Sequence, residues 1–187
     1  MNWNKHSDLK GLHAFLSASK YAWINYDEDK LLERYNNELA KERGTKLHEF
    51  ASFCIELGQK LPDVPKTINM FVNDAIGFGM QSEQVLYYSE FAFGTADAIS
   101  FRNNKLRIHD LKTGTTKTSM NQLLVYAAYF CLEYNIKPKD IEIELRIYQN
   151  DFVCVHEPTV DEIVPIIDTI KRFTKILKER QREELGL

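Results

Sequence analysis

The chain has 187 residues, of which 44% are hydrophobic and 27% charged, with a net charge of −3. This is the balance of a single globular domain with a real core, and no apolar run approaches the roughly 18 residues that cross a bilayer. The acidic balance excludes a protein that coats nucleic acid through a global positive field, but not an enzyme whose carboxylates are neutralised by metal. Cys54, Cys131 and Cys154 are too few and too scattered for a disulfide framework, a zinc ribbon or a four-thiolate cluster, so buried free thiols are expected. Met1–His6 lacks the apolar core of a signal peptide, and a cytoplasmic protein is expected.

Apolar residues at Leu9, Leu12, Phe15 and Leu16 predict a helix within 7–24, with a second short one starting near Ser17-Ala18-Ser19. Residues 27–43 predict a solvated amphipathic helix with a stripe of Leu31, Leu32, Tyr35 and Leu39. Gly44-Thr45 is expected to interrupt it before a second helix over 46–58. Pro62 and Pro65 break the chain, and 66–80 is helical again. From Gln84 onward the period changes to two, predicting strands over 85–89, 91–101, 105–111 and 141–148. Ser119–Tyr134 is a helix, 152–156 a short strand, and Thr159–Glu184 a long helix opened by a Thr159/Glu162 capping box. This order gives an α/β (α+β) fold around one central mixed sheet. It is read as one domain over 1–187: a mainly helical part over 1–80, a sheet with a crossover helix over 84–156, and a terminal helix over 159–184.

The richest chemistry lies in the hairpin around Asn103-Asn104, two residues that tolerate the positive φ of a tight turn. With those two as the loop, Ile99 faces Ile108, Asp97 faces Asp110, and Thr95 faces Lys112. One apolar face then ends in two opposed carboxylates with a lysine beside them. Opposed like charges destabilise a sheet, and buried carboxylates are costly unless compensated. A divalent cation is the usual compensation, so the hairpin suggests a metal site with a catalytic lysine at its edge.

These residues sit inside a larger set. Gly94-Thr95-Ala96-Asp97 and Asp110-Leu111-Lys112-Thr113-Gly114 are followed by Gln122-x-x-x-Tyr126 and preceded by Gly44-Thr45-Lys46-Leu47-His48. In this order they resemble the GTxD, D-x-K-T-G, Q-x-x-x-Y and G-T-x-x-H motifs of the PD-(D/E)XK nuclease superfamily, in its RecB-like and phage-exonuclease branch. The resemblance covers about residues 14–156. It implies a restriction-endonuclease-like core and a metal-dependent deoxyribonuclease that uses Mg²⁺ or Mn²⁺, without an iron–sulfur cluster. By the same resemblance His48, Asp97, Asp110 and the Leu111 carbonyl are metal ligands, Asp97, Asp110 and Lys112 are catalytic, and Gln122 and Tyr126 support the site and contact DNA. The implied role is exonucleolytic DNA end processing in recombination, replication or repair, in a phage or prophage context, with DNA and a possible recombination or replication protein as partners. An endonuclease of the same fold and a non-cleaving DNA- or protein-binding relative remain alternatives.

Each residue also has a plainer reading. His48 fits a core histidine, Lys112 a snorkelling edge lysine, Gln122 the end of a Ser119/Gln122 capping box, and Tyr126 a core aromatic. Glu49 and Glu90 are candidates for an accessory acid. Arg102, Lys105, Arg107 and Lys117 suggest a phosphate-binding rim. The basic residues of the last helix fit a solvated face or a DNA-contacting one equally.

Overall fold

The computed structural model describes residues 4–116 and 118–186, so Trp3 and the rim candidate Lys117 lie outside the described residues. The chain divides into two compact units, one ending at Arg43 and one beginning at Gly44. No helix among the described residues is long and apolar enough to cross a membrane.

In the first unit the first helix expected within 7–24 is replaced by a short 3₁₀ segment, Ser7–Leu9, while the second, expected near Ser17-Ala18-Ser19, forms as the 3₁₀ segment Ala18–Asn25. Gly11, at φ 83°, follows the first of them. Leu9, Leu12 and Leu16 stay exposed, so no buried face exists to stabilise a longer helix. Ser17 anchors the second segment through its carbonyl, which accepts from Trp23 Nε1 at 2.9 Å. The ring of Phe15 meets Tyr35 edge-on at 5.2 Å.

Helix α1 runs unbroken over Glu28–Leu57. Asp27 caps it, its Oδ1 accepting from the Lys30 N–H at 2.8 Å. The break expected at Gly44-Thr45 is therefore absent. A mid-helix glycine costs only about 1 kcal/mol relative to alanine and keeps its N–H. Its use here is spatial, because a Cβ on Gly44 would come within 2.9 Å of Thr113 Oγ1.

In the second unit α2 (Thr67–Gly77) leads into a five-stranded mixed sheet in the order β1 (Gln81–Ser89), β2 (Ala92–Arg102), β3 (Lys105–Leu111), β4 (Glu142–Gln149), β5 (Phe152–His156). All neighbours are antiparallel except β3 and β4, whose parallel pairing needs the crossover helix α3 (Asn121–Glu133). Helix α4 (Val160–Leu185) closes the unit, with the Thr159/Glu162 capping box formed. The sheet separates two cores. One holds Ile99, Ile108 and Leu145 with α3 and α4 residues such as Leu123, Ala127 and Ile163. The other holds Ala98, Leu111 and Tyr148 with Ala51 and Cys54 of α1 and Phe71 and Val72 of α2. Cys54 and Cys131 are buried as expected, whereas Cys154 is exposed on β5.

The hairpin turn is the one the asparagines predict: Asn103 and Asn104 take φ of 52° and 57°, and β2 and β3 pair from Arg102↔Lys105 to Ala98↔His109. That ladder stops one step short of Asp97 and Asp110, and does not reach Thr95 and Lys112. The expected rim also changes character. Lys105 pairs with Glu142, Glu144 and Glu157, and Arg107 with Glu144, so both are spent on acids of the same unit.

Candidate metal centre

Asp97 does not extend the apolar face of the hairpin. Ala96 packs in the core on the α3 side while Ala98, two residues on, packs in the core on the α1 side. In a regular strand residues two apart share a face, so β2 changes face at Asp97. Strand β1 does the same opposite it. Pairing skips from Ser82↔Ala98 to Gln84↔Ala96, leaving Glu83 at the level of Asp97. Ser82 Oγ meets Ser52 Oγ of α1 at 2.8 Å, whereas Leu86 joins the α3-side core. Glu83 itself sits at φ 49°, a region non-glycine residues rarely occupy and one that concentrates at functional sites.

The double change of face gathers three ligand-type side chains. His48, Glu83 and Asp97 bring their ligand atoms within 4.8 Å of one another. His48 Nδ1 lies 3.5 Å from Asp97 Oδ2. The same oxygen accepts the Leu111 N–H at 2.7 Å, tying the end of β3 to the carboxylate. His48 reaches the cluster because α1 continues through Gly44, four residues earlier on the same helix face. It is half-buried, with a polar partner, and so is not a plain core histidine. Sequence alternation overlooks Glu83, since the strand pattern begins at Val85. Glu49 and Glu90 lie outside the cluster and are exposed.

Asp110 lies beside this group. Only 2% exposed, it takes the Lys112 ammonium on Oδ1 at 3.0 Å, while its Oδ2 is buried with no partner among the described residues. Burial pushes its carboxyl above the ordinary carboxylate range, and the charge of Asp97 adds to this; Lys112 and His48 offset it only in part. Glu83 is raised too, first by burial and then by Asp97. His48 is raised above 6.5, chiefly by its hydrogen bond to Asp97, with burial opposing and the charges of Asp97, Glu83 and Asp110 assisting. In all three the charge of Asp97 pushes the same way, added to burial in the two acids and to the hydrogen bond in His48.

Lys112 is held from both sides. Its Nζ donates to Asp110 and, at 2.8 Å, to Gln122 Oε1. Gln122 Nε2 in turn donates to Tyr126 Oη at 3.2 Å. The expected capping role of Gln122 is therefore not the one its side chain plays: α3 starts at Asn121, and Ser119 Oγ accepts from the Asn121 N–H at 3.3 Å. Tyr126 is partly buried against the α3-side core, and Gly94 makes room for it, since a Cβ there would fall 2.9 Å from Tyr126 Cε1. The structure thus brings together His48, Asp97, Asp110, Leu111, Lys112, Gln122 and Tyr126, and adds Glu83.

The donor set fits a hard or borderline divalent cation: carboxylate oxygens, one imidazole and an orphaned buried oxygen alongside. No known family model matches the chain, and neither does any curated protein or solved structure.

Proposed function

We propose that this chain is a metal-dependent deoxyribonuclease of the RecB-like PD-(D/E)XK type, with a restriction-endonuclease-like core, acting as an exonuclease on DNA ends. The observation that carries this reading is the buried, partnerless Oδ2 of Asp110 beside Asp97 and Lys112. A carboxylate kept in that state asks for a cation, and the lysine two residues on gives the cation a reaction to serve. His48, Asp97, Asp110 and Glu83 would hold Mg²⁺ or Mn²⁺, with the Leu111 carbonyl as the backbone donor carried over from the resemblance. When bound, such an ion neutralises phosphoryl oxygens and acidifies water.

The side chains do the rest. The Leu111 N–H holds Asp97 Oδ2 in place, so that carboxylate enters the site already oriented. Lys112, steered by Gln122, directs its ammonium to the oxygen where negative charge grows as water attacks phosphorus in line with the leaving oxygen. Tyr126 fixes the Gln122 amide, so the Gln-x-x-x-Tyr spacing acts through Lys112.

The test is cleavage of linear DNA labelled separately at its 5′ and 3′ ends, with a covalently closed circle alongside, in Mn²⁺, Mg²⁺ or EDTA. Metal-dependent release of mononucleotides from linear DNA alone, lost in Asp110→Ala and Lys112→Ala, is the expected result. Cutting of the circle would move the reading to an endonuclease. No cleavage with any metal would overturn the enzymatic reading.

A further inference from the structure

Four residues along β2 from Asp97, about 13 Å at the rise of a strand, a cleft of ≈ 520 Å³ opens beside the hairpin. It exists because β2 outruns its neighbour. Pairing with β1 begins only at Gln81↔Ile99, so Ser100–Arg102 of β2 overhang the sheet edge. That volume is within the usual range for small-ligand sites.

One wall is a row of rings. Phe101 and Phe130 lie 5.1 Å apart, and Phe130 and Tyr134 4.9 Å apart. Phe130 is buried, but Phe101 and Tyr134 are 39% and 51% exposed, each ring tilted against Phe130, by 51° and 42°. Arg102 lines the same cleft. Its Nη2 donates to the Gly79 carbonyl at 3.1 Å; Gly79 takes φ 58°, where a side chain is strained, and a Cβ there would push the guanidinium aside. Lys105 and Arg107 of the same hairpin are neutralised by acids; among the described residues no carboxylate bonds Arg102. Gln81 and Gln84 also line the cleft; Gln84 Nε2 donates to the Val85 carbonyl at 2.8 Å, which leaves its Oε1 to accept.

We propose that this cleft is a nucleotide-binding site: a flat base stacks on Phe101 and Tyr134, the amides of Gln81 and Gln84 meet its polar edge, and its phosphate rests on Arg102. Base–aromatic stacking tolerates any base, and a planar guanidinium suits phosphate oxygens. The nucleotide is either one unit of a DNA strand, a source that rests on the nuclease reading, or a free nucleoside monophosphate, which does not.

Binding is read by calorimetry in EDTA, where a metal-dependent enzyme cannot cut. The probes are deoxyadenosine monophosphate and a short single-stranded oligodeoxyadenylate, with wild type, Tyr134→Ala and Arg102→Gln. The expected result is saturable binding that weakens roughly 5- to 150-fold in Tyr134→Ala and about 10-fold or more in Arg102→Gln, with thermal melts showing both variants folded. If the free monophosphate obeys this pattern, it is a ligand in its own right. If only the oligonucleotide does, the cleft holds a strand. Binding of neither probe, or binding indifferent to both substitutions, overturns the proposal. Because cleavage plays no part in the readout, this outcome is separate from the fate of the nuclease reading.

Discussion

The β3–β4 pair buries a carboxylate near each of its ends, and the two are treated in opposite ways. Near the hairpin turn Glu144, 7% exposed, is surrounded by Lys105, Arg107 and Arg146. Burial alone would raise its carboxyl; the Lys105 hydrogen bond and the charges of Arg146, Lys105 and Arg107 outweigh this and hold it low. At the other end Asp110 has one lysine, a neighbouring Asp97 and an unpartnered oxygen, and its carboxyl is raised. The first end is a closed ion network that stabilises structure. The second leaves negative charge uncompensated, as a cation site does before its ion arrives. Both ends are buried and polar, so burial alone does not distinguish them; the state of compensation does.

The sharpest way to break this comparison is to substitute both ends and measure cleavage. Asp110→Ala or Lys112→Ala should lower the rate by at least about 10²–10³-fold, while Glu144→Gln leaves the rate of the folded protein within a few-fold. Chemical denaturation should invert the ranking: Glu144→Gln leaves three cations around a neutral amide and costs about 2–3 kcal/mol.

Metal should act on one end only. Saturating Mn²⁺ at about 100 times its dissociation constant stabilises by about 2.7 kcal/mol. Thermal melts should show that increment in wild type and in Glu144→Gln, and about 1.4 kcal/mol or less in Asp97→Ala.

Acidity separates the ends further, and metal-free protein is the right sample. A raised carboxyl such as Asp110 is a burden once ionised, so its cost grows as pH rises through its folded value and is lifted on acidification. Glu144 is lowered, so its stabilisation is present above its unfolded value of about 4.5 and is lost as pH falls through the folded one. The His48–Asp97 pair stabilises fully below 6.5 and is lost as pH rises through the raised value of His48. Asp110→Asn should therefore stabilise the metal-free protein at neutral pH, on the order of 1 kcal/mol, with the gain shrinking in urea melts as pH falls from the raised value of Asp110 toward the ordinary 3.8. Mn²⁺ affinity should run the other way. It should fall as pH drops through the raised value of His48, because the imidazole must be neutral to bind.

The smallest effect concerns how α1 reaches the site. Gly44→Ala should gain about 1 kcal/mol of helix propensity and lose 1–3 kcal/mol to the Thr113 contact. Adding Thr113→Ala removes the clash, so the double variant should melt above the Gly44→Ala single variant.

Much of this was legible in the chain. The Asn103-Asn104 turn, the register of β3, the crossover helix and the Thr159/Glu162 box follow from local rules, because alternation and capping act over a few residues. Asp110 and Lys112 could be marked because the hairpin alternation opposes two carboxylates beside a lysine, and Gln122 and Tyr126 because their spacing resembles a family motif. Glu83 was not, because β1 and β2 both change face there, and alternation carries no signal across such a step. The unbroken α1 was hidden too. Gly44 reads locally as a breaker, and its reason lies in Thr113, a residue 69 positions away. The first 25 residues misled for the opposite reason: their apolar spacing suggests a helix, but those side chains remain in solvent.

The most direct measurement is a Mn²⁺ titration followed by the electron paramagnetic resonance of the free ion, at pH 7.5, on wild type, His48→Ala, Asp97→Ala and Glu144→Gln. The account predicts saturable binding in wild type and Glu144→Gln, and at least tenfold weaker binding in His48→Ala and Asp97→Ala. Equal binding in all four proteins, or none in wild type, would contradict it.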